Sequence, residues 1–145
     1  MDPSQIFSAV SAIAALQWLL LITLPKWKVT NWLVSTAAVP LLLAVIYGIY
    51  ILGFFGIEGG GFGSIQEVRT LFSDDKLLLA GWVHYLAFDL LIGFYISRSA
   101  QAKNISHWLV IPCLVLTFMF GPCGYLLYRL IQQIKSPNEK PAHTN

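Results

Sequence analysis

Four long apolar segments, set apart by polar stretches, dominate the chain: about 4–24, 30–55, 77–97 and 107–128. Each has the roughly 20 residues that an α-helix needs to cross a bilayer core of about 30 Å. The pattern predicts an all-α integral membrane protein. Residues 1–130 form a bundle of four transmembrane helices, with one long loop carrying a short amphipathic helix; 131–145 form a polar C-terminal tail.

The first segment is read as a retained helix, because Asp2 is the only charge before it and its apolar run exceeds a signal-peptide core. Asp2-Pro3 suits an N-cap followed by a first-turn proline. Ser8, Ala12 and Ala15, and Ser11 with Ala15, form small-residue faces open to a neighbouring helix. Pro25-Lys26-Trp27-Lys28 fits the headgroup level. The second segment carries no charge, exceeds the usual length, and contains Pro40, which predicts a kink. In the long connection, Glu58 to Ser64 is glycine-rich but lacks the Lys-Ser/Thr ending of a phosphate loop, which excludes nucleotide binding on that motif. Ser64 and Glu67 fit a capping box, and Ile65, Val68, Leu71 and Phe72 follow with helical spacing. Asp74-Asp75 suit the start of the third helix. In the fourth segment Trp108 is an interfacial anchor, and Pro112 sits in the first turns. Pro122 predicts a kink or break, while Gly121 and Gly124 permit close backbone approach. The tail, with Pro137 and Pro141, is expected to fray.

Composition agrees: 57% of residues are hydrophobic and 11% charged, against about 25% charged in soluble domains. The net charge of +2, without a basic stripe, gives no reason to expect nucleic acid. Cys113 and Cys123 lie about 15 Å apart if on one helix, too far for a disulfide. Four crossings would put both termini on one side. Lys26, Lys28, Arg98 and Lys103 would then face Arg69, Lys76, Arg129, Lys135 and Lys140 across the bilayer, a balance that decides nothing. Asp2 before the first helix and two lysines after it favour the termini outside.

The candidate chemistry lies in residues 80–93. Tyrosine aside, His84 and Asp89 are the ionisable side chains there. Asp89 falls near mid-membrane, where a carboxylate costs about 2.5–3.5 kcal/mol on insertion scales. A partner, a wet cavity or protonation must offset that, and intramembrane carboxylates mark function. His84 and Asp89 point about 140° apart on a helix. Asp89 aligns with Trp82 and Tyr85, His84 with Phe88 and Leu91. A ligand touching both needs a broad cavity, unless one of the two bonds to another helix. Expected neutral partners of Asp89 are Tyr85 on its own helix, and Gln17, Tyr47, Tyr50 or Thr117 from others. The plainer alternatives are an interhelical hydrogen bond for Gln17 and packing for Trp18, Tyr47, Tyr50, Trp82 and Phe88. His84, Asp89, His107 and Glu58 could donate to a metal, but no pair has a helical spacing of three or four, so no metal or other cofactor is expected.

Gly81-Trp82-Val83-His84-Tyr85-Leu86-Ala87-Phe88-Asp89-Leu90 resembles the central signature of the neoxanthin-synthase-like family of plants and cyanobacteria, named for abscisic-acid-deficient plants. The likeness extends to Leu116-Thr117-Phe118-Met119-Phe120-Gly121-Pro122 and Gly124, and more loosely to Gly63-Ser64 and Leu71-Phe72. The resemblance implies a carotenoid-modifying isomerase that opens the epoxide of violaxanthin to the allene of neoxanthin. It implies an acid at the epoxide oxygen and a base at a vinylic proton, with Asp89 and His84 the deep candidates and Tyr85 beside Asp89. Trp82, Phe88, Gln17, Tyr47, Tyr50 and Thr117 would line the substrate. The alternative is a non-catalytic binder of a carotenoid or another isoprenoid lipid. Without a transit peptide before the first helix, the expectation is a multi-pass protein of a prokaryotic plasma or thylakoid membrane, or of a plastid membrane if the chain is processed.

Overall fold

A computed structural model describes residues 2–56 and 59–135. Glu58 and the tail from 136 onward, including Pro137, Lys140 and Pro141, lie outside the described residues. The chain divides between Leu91 and Ile92 into two compact units. The described residues form seven helices and no strand.

In the first unit, α1 (Pro3–Thr23) starts with proline at its first position, as expected. The Asp2 carboxylate accepts the Ser4 hydroxyl proton instead of capping backbone N–H groups. Its inward face is Val10, Ala14, Gln17, Trp18 and Leu21. The small-residue face comes out otherwise than expected, since Ser8, Ala12 and Ala15 are exposed. Ser11, the one member of that small-residue set that meets a neighbouring helix, does so through Trp82 of the third apolar segment.

The segment 30–55 is two helices, α2 (Lys28–Thr36) and α3 (Ala38–Phe54), bent by 40°. The break is at Ala37, which takes a left-handed conformation with φ 49°. Pro40 explains the location. Its ring would clash with the Thr36 carbonyl in a continuous helix, and it has no N–H to give. As third residue of a new helix, that missing N–H costs nothing. The long connection carries α4 (Ile65–Leu71). Ser64 Oγ accepts the Glu67 N–H at 3.2 Å, the first half of the expected capping box. The returning carboxylate bonds Gly63 N at 3.0 Å, one residue before the cap. Leu71 is buried, Val68 half-buried, and Ile65 exposed.

The third predicted segment is α5 (Asp75–Ala102), 28 residues long, or about 42 Å. Asp74 Oδ1 accepts the N–H groups of Lys76 and Leu77 at 3.0 and 3.1 Å, so the acids cap this helix as expected. In the second unit, the predicted fourth span is not one helix. α6 (His107–Phe120) ends at Gly121, φ 46°, and α7 (Pro122–Lys135) begins with Pro122. Pro122 can start a helix but not continue one, and Gly121 accepts the positive φ between them. Two helices, α1 and α5, are long and apolar enough to cross a membrane, and α2–α3 makes a third if its bent halves are one span. Four continuous spans are not seen; α6, at 14 residues, is only about 21 Å long.

Candidate functional site

Within the first unit α5 presents two faces, as the five-residue spacing of His84 and Asp89 requires. Trp82, Tyr85 and Asp89 make one. Trp82 Nε1 donates to Ser11 Oγ of α1 at 2.9 Å, and its ring lies 5.3 Å from Phe7 and 5.5 Å from Tyr85. Tyr85 is hydrogen-bonded to the Asp89 carboxylate one turn later, the local partner expected for it. Asp89 is 8% exposed, and its Oδ2 has no hydrogen-bond partner in the protein. Gln17 is 1% exposed, and neither amide atom has a partner.

Asp2, Pro3 and Ser4 at the start of α1 line one cavity of about 430 Å³ with Asp75, Leu78 and Leu79 at the start of α5. The Ser11–Trp82 bond lies further along both, so the two helices run parallel here. Gln17 is six residues beyond Ser11, and Asp89 seven beyond Trp82, about 9 and 10.5 Å along their axes. Two buried groups with open hydrogen-bonding capacity therefore share one depth.

His84, Phe88 and Gly81 form the second face. The exposed His84 ring stacks on Phe88 at 4.5 Å and lies 5.3 Å from Tyr47 of α3. It lines a cavity of about 250 Å³ with Tyr47, Ile51, Phe62, Leu71 and Phe72. Beside it lies a shallow, open groove of about 440 Å³, lined by Phe72, Leu78, Gly81, Trp82 and Tyr85. Phe72 and Gly81 border both the cavity and the groove. A Cβ on Gly81 would stand 2.6 Å from the Phe72 ring, so the missing side chain seats that ring. Phe72 and Gly81 were absent from the expected site residues. Neither carries polar chemistry, and their meeting depends on how α4 folds back on α5.

Tyr85 and Trp82 thus border the groove, while His84 and Tyr47 border the cavity. Asp89 lines neither and meets the groove through Tyr85. Tyr50 sits instead 5.8 Å from Phe54, whose ring lies under the Lys76 ammonium at 4.3 Å. Thr117, in the second unit, donates its hydroxyl proton to the Cys113 carbonyl at 2.8 Å within α6. Its donor is already used locally. Among the described residues no group of three or more His, Cys, Asp or Glu converges.

Chemically, the Tyr85–Asp89 pair can relay a proton. A phenol both donates and accepts, and a carboxyl behind it can supply or collect the proton. The apolar walls would hold a hydrophobic ligand but add little polar specificity.

No curated protein and no solved structure matches the chain. The family model described as ABA DEFICIENT 4-like matches residues 5–128. That stretch contains the two faces of α5, the Phe72–Gly81 contact and the Gly121-Pro122 break. With so much of its length matched, the chain belongs to the ABA DEFICIENT 4-like family.

Proposed function

We propose that this membrane protein is a carotenoid-modifying isomerase resembling neoxanthin synthase, with Asp89 as its acid–base group and Tyr85 as the proton relay. The observation that carries this reading is a buried carboxyl hydrogen-bonded to a tyrosine that borders an open, aromatic-lined groove. An epoxide-to-allene isomerisation needs no net proton. Neutral Asp89 passes a proton through Tyr85 to the epoxide oxygen as the ring C–O bond breaks. The Asp89 carboxylate then collects, through Tyr85, the proton of the adjacent vinylic carbon. The electron pair of that C–H bond becomes the second double bond of the allene. Trp82 and Phe72 flank the polyene. His84 and Tyr47, on the other side of Phe72, contact its continuation.

One observation favours a second reading, a non-catalytic binder of a carotenoid or isoprenoid: Asp89 itself lines neither the groove nor the cavity. The chain expressed in a membrane that makes epoxy-carotenoids distinguishes the two. A new isomer on chromatography, lost in both Asp89→Asn and Tyr85→Phe, supports the isomerase. Pigment that copurifies unaltered supports the binder, and an unchanged profile across epoxy and non-epoxy carotenoids rules the isomerase out. Full activity in a normally folded Asp89→Asn removes the assigned role.

A further inference from the structure

The second unit holds a feature that the proposed activity does not use: the path of the chain after Gly121. Gly124 packs so closely on α6 that a Cβ there would collide with Thr117 Oγ1, Thr117 N and the Cys113 carbonyl. Cys113 and Thr117 are about 9 and 15 Å along α6 from His107. One turn further, the buried Tyr128 donates its hydroxyl to Ser99 Oγ of α5 at 2.7 Å, and its ring is 6.4 Å from Tyr95. Tyr125 is 5.9 Å from Tyr95. Ser99 follows Arg98, three residues before α5 ends and the 103–106 connection to α6 begins. In a straight fourth span Tyr128 would be 21 residues past His107, about 31 Å away across the bilayer. Instead it is back beside the level at which α6 begins.

We propose that α6 and α7 form a re-entrant hairpin, which returns Arg129 and Lys135 to the leaflet that already carries Arg98 and Lys103. Together they make a cationic surface for anionic lipid headgroups. α7 suits that position. Gly124 and Tyr128 face protein, Leu126, Leu130 and Ile134 are exposed along one apolar stripe, and Arg129 and Gln133 are exposed beside it. Outward positions of α3 such as Leu41, Val45, Ile49 and Leu52 are instead uniformly apolar. An apolar stripe next to a cationic polar one is the pattern of a helix leaving the core along the headgroup boundary. α7 contains two cations and no acid.

Charge sidedness supports the hairpin independently. Four spans leave the cations evenly divided. With α1, α2–α3 and α5 as the crossings, Lys26, Lys28, Arg98, Lys103, Arg129 and Lys135 share one side. Among the described residues, Arg69 and Lys76 are the only cations left on the other, with Asp2, Glu67, Asp74 and Asp75. Such a bias orients membrane proteins with the cationic side inward.

The test uses the full chain in a bacterial inner membrane, with Cys123→Ser to remove the exposed native thiol. Ser73→Cys, Ser106→Cys and Gln133→Cys, introduced one at a time beside the buried Cys113, are treated with a membrane-impermeant maleimide in sealed cells and again after lysis, and the labelling of the Cys123→Ser parent is subtracted. The hairpin expects Gln133→Cys to label with Ser106→Cys, only after lysis, and Ser73→Cys to label in sealed cells. Gln133→Cys labelling with Ser73→Cys overturns it. Positions 106 and 133 both labelling in sealed cells keeps the hairpin and overturns the inward assignment. For the lipid contact, the purified chain is delipidated from vesicles of phosphatidylcholine with phosphatidylglycerol. Arg129→Gln and Lys135→Gln should each lower the retained phosphatidylglycerol about fivefold; equal retention by the double variant overturns the contact.

Discussion

Gly124→Ala is the sharpest test of how the second unit packs. The new methyl would occupy space already taken by Thr117 Oγ1, Thr117 N and the Cys113 carbonyl. The last two belong to the backbone of one helical turn and cannot rotate away, so α7 must move off α6. Overpacking of this kind costs about 1–3 kcal/mol. Displacement also endangers the Tyr128–Ser99 hydrogen bond, worth about 0.5–1.5 kcal/mol. Against this, alanine is the better helix former by about 1 kcal/mol. The net expectation is a loss of about 1–3 kcal/mol. Two other glycines calibrate it. A Cβ on Gly48 of α3 meets nothing within 4 Å, so Gly48→Ala should gain about 0.5–1 kcal/mol from helix propensity alone. At Gly81 the obstacle is the edge of the Phe72 ring, a side chain that can give. Gly81→Ala should cost less than Gly124→Ala, while displacing the ring that borders both the cavity and the groove. Unfolding of the three variants in mixed micelles, followed by tryptophan fluorescence against denaturing detergent, reads the order. A Gly124→Ala protein as stable as the parent, or shifted together with Gly48→Ala, refutes the close α6–α7 contact.

Gln17→Leu removes a buried amide whose two polar atoms have no partner, so the variant should be as stable as the parent or up to about 3 kcal/mol more stable. If Gln17 contacts ligand, the same variant loses copurified pigment while gaining stability; loss of stability would show that the amide has a structural partner. Trp82→Phe deletes the donor to Ser11 but keeps an aromatic ring, at a cost of about 0.5–1.5 kcal/mol; a Ser11→Ala, Trp82→Phe double-mutant cycle showing independent effects would exclude the bond. Ser64→Ala should destabilise α4 by about 1 kcal/mol, seen as faster amide exchange over residues 65–71; unchanged exchange would mean that the cap does not hold that helix.

Several features followed from neighbours close in sequence. The apolar segments, the Ser64 cap, the acids before α5 and the break at Gly121-Pro122 each depend on one or two turns of chain. So does the Tyr85–Asp89 pair, because residues four apart share a helix face wherever the helix lies. Pro40 announced a disturbance but not its form. A ring clash with a carbonyl four residues earlier can be relieved by a kink or by ending the helix, and here Ala37 ends it. The remaining features needed the tertiary structure. Ser11 meets Trp82 from 71 positions away, Phe72 fills the notch at Gly81, and Gln17 is sealed inward without the partner expected for it. Composition at one position cannot specify contacts that depend on how whole helices approach. The direction of α7 is the clearest case. Gly121 and Pro122 state that the helix stops, but a positive φ allows the next helix to continue outward or to fold back. Gly124, by letting α7 lie against the α6 backbone, and Tyr128, by reaching Ser99, decide that it returns.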